Sequence, residues 1–501
     1  MSQHATATPD LSGGDAKGVV RIASVAALGG LLFGYDSAVI NGAVSAIGEV
    51  WHIGAGALGF AVAAALIGAA IGAMTAGRVA DRVGRLMVMK IAALLFILSA
   101  IGCVLAPETT AGLVMFILFR IVGGAGVGFA SVIAPAYIAE VSPPRIRGRL
   151  GSLQQLAIVT GIFLSLLVDA LLVHATSTGQ PDGMLWFGLE AWRWMFLVLA
   201  IPAIIYGALA FTIPESPRYL VAAHRIPEAR KVLTLLLGEK NLEITIDRIQ
   251  GSLAGETKPS WRDLKNSRTG KIYPIVWIGL IASMLQQFVG INVIFYYSNT
   301  LWMAVGFDTS SAFTISVITS IVNIATTIVA ILLVDRIGRK LLLIIGSVGM
   351  TVSLAALAIC FGTAAMVPDA TGQLAPVLNG AAGPIALVAA NVFVIAFGMS
   401  WGPVIWVLLG EMFPNRIRGA ALSLAAAGQW VANWIVTVTF PGLKDSLPRA
   451  RLRHLHRFRA HLAALRGEVP HRDQGPHPGG HGRRPRRGQA GRTRGCGGVL
   501  T

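Results

Sequence analysis

Asp36 and Arg120 are ionisable residues placed inside apolar stretches, where a charge is costly and marks a functional candidate. An Asp within reach of an Arg is held ionised, and takes up a proton when the pair separates. That is the physics of a proton-coupling carboxylate. A static ion pair that orients two helices would use the same two residues. A second group lies in the apolar run 272–303: Gln286, Gln287, Asn292, Tyr296 and Tyr297. Buried amides must find partners, because an unpaired polar group in hydrocarbon is expensive. On one continuous helix Gln287 and Asn292 stand about 140° apart, on adjoining faces. Together the amides make a polar face suited to a polyhydroxylated partner, although amides that only tie helices together would look the same. Further polar residues interrupt other apolar runs: Gln154, Gln155, Asn323, Gln429 and Asn433, with Trp406 and Trp430 nearby. Amides donate and accept, which suits sugar hydroxyls. An indole packs on the C–H face of a sugar ring while its N–H donates.

The elements that must position these residues are membrane spans. The 501 residues are 54% hydrophobic and 13% charged, the balance of a polytopic membrane protein. Runs near the roughly 20 residues needed to cross a bilayer fall at 19–41, 58–79, 87–106, 112–139, 150–174, 191–213, 272–303, 311–334, 340–363, 383–411 and 419–441, eleven in all. Met1–Gly18 is polar, so a cleavable leader is not expected. Lys and Arg recur in alternate loops, including Arg78, Arg82 and Arg85, then Arg145, Arg147 and Arg149. The positive-inside rule then puts the N-terminus in the cytoplasm of a multi-pass cell (inner or plasma) membrane protein. The expected organisation is a cytoplasmic segment 1–18, a six-helix bundle 19–213, a charged linker with short helices 214–271, and a second bundle 272–446 with five recognisable spans. A basic low-complexity tail, 447–501, completes the chain.

The two bundles repeat each other. Glu140-Val141-Ser142-Pro143-Pro144-Arg145-Ile146-Arg147-Gly148 returns as Glu411-Met412-Phe413-Pro414-Asn415-Arg416-Ile417-Arg418-Gly419. Asp81-Arg82-Val83-Gly84-Arg85 returns as Asp335-Arg336-Ile337-Gly338-Arg339. Matching motifs at matching spans mark duplicated bundles. Their ion pairs, from Arg78, Asp81, Arg85, Glu140, Arg145 and Arg147 and from Asp335, Arg336, Arg339, Glu411, Arg416 and Arg418, are candidates for a conformational latch. A plain basic topogenic loop is the simpler account of either copy taken alone.

Several alternatives are set aside on composition. Cys103, Cys360 and Cys496 are far apart and show neither metal spacing nor a disulfide framework. No ligand set, nucleophile–base constellation or phosphate loop points to an enzyme or a cofactor. The net charge of +17 is no nucleic-acid signal, because the 13 arginines after Leu447, set against Glu468 and Asp473, supply +11 of it.

In its motifs the chain resembles the sugar porters of the major facilitator superfamily. The match is carried by Gly29 to Asp36, Gly77 to Arg85, Pro135 to Glu140, Pro214-Glu215-Ser216-Pro217-Arg218, Gln286 to Tyr297, Asp335 to Lys340 and Trp401 to Gly419, over about residues 17–446. The resemblance implies an all-α fold of two pseudo-symmetric six-helix bundles and alternating access around a midplane site. It implies sugar contacts from Gln155, Gln286, Gln287, Asn292, Trp406 and Gln429, a pocket lined by Phe33 and Trp430, and a gate at Tyr296 and Tyr297. Asp36 and Arg120 match the pair of the family's proton symporters, whereas facilitators carry no acid at that position. The implied partners are a monosaccharide, a proton and the lipid bilayer, with a monomeric state. Ile162 and Leu199 stand where a xylose symporter has Gln and Glu, which leaves a glucose-type substrate open. A facilitative uniporter and a non-transporting sugar sensor are the alternative functions.

The tail departs from this pattern. Where a twelfth span is expected, Arg449 to Arg494 is rich in Arg, His, Pro and Gly. That composition is what a GC-rich gene gives when read out of frame near codon 446. In a genuine tail, Leu452, Leu455, Phe458 and Leu462 would make an interfacial amphipathic helix.

Overall fold

A computed structural model describes residues 16–143, 146–237, 242–254, 264–265, 269–304, 306–368, 374–378, 380–414 and 417–465. The chain divides into a unit Met1–Pro448 and a unit Arg449–Thr501. Within the first, the N-terminal half is α1 (Ala16–Ala38), α2 (Ile40–Val50), α3 (Ala55–Val83), α4 (Arg85–Val104), α5 (Thr110–Val141), α6 (Arg147–Ala175), α7 (Ala191–Val198) and α8 (Ala200–Leu209). The linker carries α9 (Pro217–Ala222), α10 (Ile226–Leu237) and α11 (Leu242–Ala254). The C-terminal half is α12 (Pro274–Phe288), α13 (Ile291–Ala304), α14 (Thr309–Ile337), α15 (Arg339–Thr363), α16 (Ala382–Gly398), α17 (Trp401–Met412) and α18 (Arg418–Leu465). Among the described residues, eleven segments are long and apolar enough to cross a membrane, as the hydropathy predicts. Between α15 and α16 lies a short antiparallel hairpin, β1 (Ala365–Pro368) with β2 (Leu374–Val377).

Local sequence explains where helices stop. Gly84 and Gly338 adopt φ +94° and +86° and end α3 and α14 in the same way. A residue with a Cβ is strained there, so the repeated Asp-Arg-x-Gly-Arg motif makes the same tight turn in both halves. The seventh span is broken in two at Gly290, with φ +87°, whereas the first only bends at Val39, which keeps helical angles of φ −55° and ψ −28°. This corrects the continuous-helix geometry expected for Gln287 and Asn292. They stand on different helices, and the glycine re-aims the chain between them.

The halves also differ in how their third spans are covered. In the first, α4 is covered by the sixth span: Ala93 lies under Gly207 and the Lys90 ammonium sits 3.7 Å over the Phe211 ring. Its counterpart α15 instead presents Leu341, Ile344, Ile345, Val348, Val352 and Ile359 outward, with no described span over them. This is the face a twelfth span would cover. The backbone of α18 stays helical to Leu465. The side chains of Leu452, Leu455, Phe458 and Leu462, and residues 466–501, lie outside the described residues.

Candidate functional site

The last turn of α1 places Asp36 against α5. Arg120 Nη1 donates to Asp36 Oδ1 at 3.2 Å and to the Asp36 carbonyl at 3.3 Å. Each side chain is 1% exposed. The approach depends on Gly123, where a methyl would stand 3.1 Å from Asp36 Oδ1 and 2.4 Å from Ser99 Oγ. The pairing is incomplete, since Asp36 Oδ2 and Arg120 Nε have no hydrogen-bond partner. A small cavity beside the pair is lined by Asp36, Ser37, Ile40, Arg120, Tyr296 and Trp430. It joins the ion pair to residues of the other half.

The amides form two linked groups. Gln286 Nε2 donates to the Trp401 carbonyl at 2.8 Å and Gln429 Nε2 donates to Gln286 Oε1 at 2.7 Å. Asn292 Nδ2 donates to Gln287 Oε1 at 2.5 Å, back across the Gly290 break. Trp401 opens α17 after the break at Met399 and Ser400, and its carbonyl oxygen has two lone pairs, so it accepts from Gln286 as well as from its own helix. Phe33 and Trp430 meet across the halves with ring centroids 6.2 Å apart. Gln155 is half-buried on α6, while Gln154 is buried against Gly30. Trp406 is 42% exposed and stands apart from the amide contacts. Tyr296 and Tyr297 are buried, and Tyr297 donates to the Thr437 carbonyl at 2.9 Å.

At the end of the bundle away from Arg85, four polar residues that the sequence did not single out join the halves. Asn41 Nδ2 donates to Ser298 Oγ at 2.7 Å, and the Asn299 amide donates to Asn41 Oδ1 at 3.2 Å. Ser316 Oγ donates to Asn299 Oδ1 at 2.5 Å. Nearby, Ser310 pairs with His174 Nε2 at 2.8 Å and Thr309 donates to Gln180 Oε1 at 3.2 Å. This end is closed. Asn41→Ala removes two cross-half bonds at about 1 kcal/mol each, a roughly 30-fold shift toward opening. Spin labels at Asp182 and Ala381 will then show a longer distance population.

The motif at the Arg85 end binds within its own half and to the linker. Arg85 Nη2 meets Glu140 Oε1 at 3.1 Å and Arg85 Nη1 meets Asp81 Oδ1 at 3.3 Å. Glu215 accepts from the Arg85 and Leu86 amides at 3.1 and 3.2 Å. Ser216, which caps α9, donates to Glu140. These bonds tie α3, α4 and α5 to α9. Arg78 and Arg336 are exposed, and Arg339 is half-buried and engaged. Arg145 and Arg416, and the side chains of Arg147, Asp335, Glu411 and Arg418, lie outside the described residues.

Comparison with known proteins agrees with this architecture. The model of the family "Sugar (and other) transporter" matches residues 22–454. A glucose transport protein of Synechocystis is 52% identical over 442 residues, covering 88% of this chain and 92% of its own. The D-xylose-proton symporter of Escherichia coli K12 is 39% identical over 445 residues, covering 84% and 85%. The partially occluded, inward-open structure of the E. coli xylose transporter XylE superimposes with a TM-score of 0.72 at 36% identity, covering 85% of this chain and 91% of that one. With its seventh span broken at Gly290, its duplicated turn motifs and its buried amide cluster, the chain belongs to the sugar transporter family of the major facilitator superfamily.

Proposed function

We propose that this protein imports a monosaccharide of the glucose or xylose class with a proton, from outside a cell membrane in which its N-terminus is cytoplasmic. The observation that carries the reading is the buried Asp36–Arg120 pair, which shares a cavity with Tyr296 and Trp430. The relatives' functions, glucose transport and xylose–proton symport, support it. Sugar enters while the Asn41–Ser298 end is open and Asp36 takes a proton. Tyr296 and Tyr297 close over the site, and the halves rock to face the cytoplasm. Without sugar, Gln286 and Gln429 satisfy each other. A bound sugar substitutes its hydroxyls for that contact, so the exchange of partners costs little.

The test is uptake of radiolabelled glucose and xylose into proteoliposomes, with and without an imposed proton gradient. Accumulation above the outside concentration that follows the gradient supports symport; equilibration in both conditions makes the protein a uniporter. Gln286→Leu leaves the Trp401 carbonyl and the Gln429 amide without their partner and gives the sugar no acceptor or donor. At about 1–3 kcal/mol for such a loss, uptake at low sugar concentration falls roughly 10- to 100-fold. The loss will sit mainly in KM, read from initial rates against sugar concentration.

A further inference from the structure

Asp169 lies on α6 and is fully buried, and neither of its carboxyl oxygens makes a well-formed hydrogen bond, although the Gly42 backbone amide lies close to it. It packs on Gly42 of α2, where a methyl would stand 2.8 Å from both its Cγ and its Oδ2. The Met195 sulfur of α7 closes the same spot, 2.6 Å from that methyl. Tyr35 of α1 is the titratable neighbour, and its phenol donates to the Met195 carbonyl at 3.4 Å. The other charged groups on the packed elements are engaged elsewhere or remote. Asp36 of α1 and Arg120 of α5 hold each other. Arg193 of α7 binds Glu190 and the carbonyls of Val104 and Ala106. Glu49 of α2 is exposed, and α14 carries ionisable residues only at its Arg85 end, Asp335 and Arg336. His174, further along α6, is bonded to the Ala170 carbonyl and to Ser310.

An isolated carboxylate in such a place is far costlier than the neutral acid. The place is also conformationally marked. Gly42 follows Asn41, whose bonds to Ser298 and Asn299 join the halves at the closed end. Opening that end pulls on α2, and α2 is what seals Asp169. We propose that Asp169 is a second proton-binding carboxyl, separate from Asp36, that gates closure of the outer end. While that end is open, the carboxylate takes a proton from hydronium in the external water, so that one O–H bond breaks there as one forms on Asp169. The neutral acid then packs against Gly42 as Asn41 meets Ser298, and the proton returns to the same water on reopening. Acid outside therefore favours closure.

The inference rests on the transporter reading, and the tests separate the two. The first uses the full chain in proteoliposomes and needs no sugar. Dicyclohexylcarbodiimide, which attacks protonated buried carboxyls, is applied across a pH series and the labelled peptide is identified by mass spectrometry. Labelling of Asp169 will fall about tenfold per pH unit above its midpoint, as one-proton titration requires, and Asp36→Asn will label in the same way. The second compares glucose counterflow in Asp36→Asn and Asp36→Asn/Asp169→Asn. The single variant will slow as external pH rises and the double variant will not. Labelling of Asp169 that is absent or independent of pH overturns the proposal, as does a double variant that keeps the pH profile of the single. Failure of counterflow in Asp36→Asn itself counts against the transporter reading, and the labelling result then decides alone on Asp169.

Discussion

With an inward proton gradient imposed, Asp36→Asn will bring glucose to equal concentration on both sides of the membrane and no further, while counterflow exchange continues. The size of the effect follows from the driving force. One proton moving down 100 mV contributes about 2.3 kcal/mol, which supports a concentration ratio of about 50. The wild type will approach that ratio and the variant will stop at equality. The amide keeps an oxygen where Arg120 Nη1 donates at 3.2 Å, and the Asp36 carbonyl still accepts at 3.3 Å. What it loses is the capacity to exchange a proton. An uncompensated Arg120 is a cost, since removing one member of a buried pair typically costs about 3–5 kcal/mol. Retention of an acceptor, together with the Phe196 ring 5.6 Å from the guanidinium, reduces that cost. Counterflow is the control that separates uncoupling from misfolding: a variant that exchanges sugar has folded. Gradient-driven accumulation by Asp36→Asn would make the ion pair structural and the protein's coupling, if any, the work of another group.

Much of this site was legible because it is expensive. Ionisable and amide residues inside apolar runs stand out against the hydropathy; Asp36 meets Arg120, and Gln286 meets Gln429. The duplicated Asp-Arg-x-Gly-Arg motif located the matching turns, and Gly84 and Gly338 share one backbone conformation. The break within the seventh span was not legible, because hydropathy averages over a turn and one residue, Gly290, decides whether that span is one helix or two. That error moved Asn292 off the face assigned to it. Asn41, Ser298, Asn299 and Ser316 escaped because each is a single small polar residue with no motif around it. The packing of α2 on α13, and of α13 on α14, gathers them. Asp169 was open to the same rule that singled out Asp36, being an acid in the middle of the run 150–174. It lacked an arginine or a glycine-rich run to draw attention to it. Glu215 was visible within its motif, but its binding of the Arg85 and Leu86 amides depends on how the linker folds back on α4.

Gly124→Val will prevent assembly of the N-terminal bundle. The crossing of α3 and α5 is made by reciprocal glycines. A methyl at Gly124 would stand 1.9 Å from the Ala65 carbonyl oxygen, and one at Gly68 would stand 1.9 Å from that of Ile121. Gly72 and Gly128 repeat the pattern one turn away, at 2.4 Å from the Ala125 carbonyl oxygen and 2.3 Å from that of Ala69. Small residues let helix backbones approach closely in membranes, where van der Waals packing is the main force between helices. Overpacking that side chains can absorb costs about 1–3 kcal/mol. Here the obstacle is backbone on both helices, so the cost reaches or passes the upper value, a large share of the 5–15 kcal/mol typical of a folded protein. Gly77→Val is the matched control: it lies on the same α3, with nothing within 4 Å of its added methyl. In detergent, Gly77→Val will elute as a single peak with a wild-type thermal midpoint, and Gly124→Val will aggregate or be absent. The consequence for transport follows from the register of α5, where Arg120 stands one turn before Gly124. A milder Gly124→Ala variant that still assembles must displace α5, and with it the guanidinium that holds Asp36. Its accumulation ratio should therefore fall further than its counterflow rate. Equal loss of the two would mean that the crossing supports the fold without setting the ion pair.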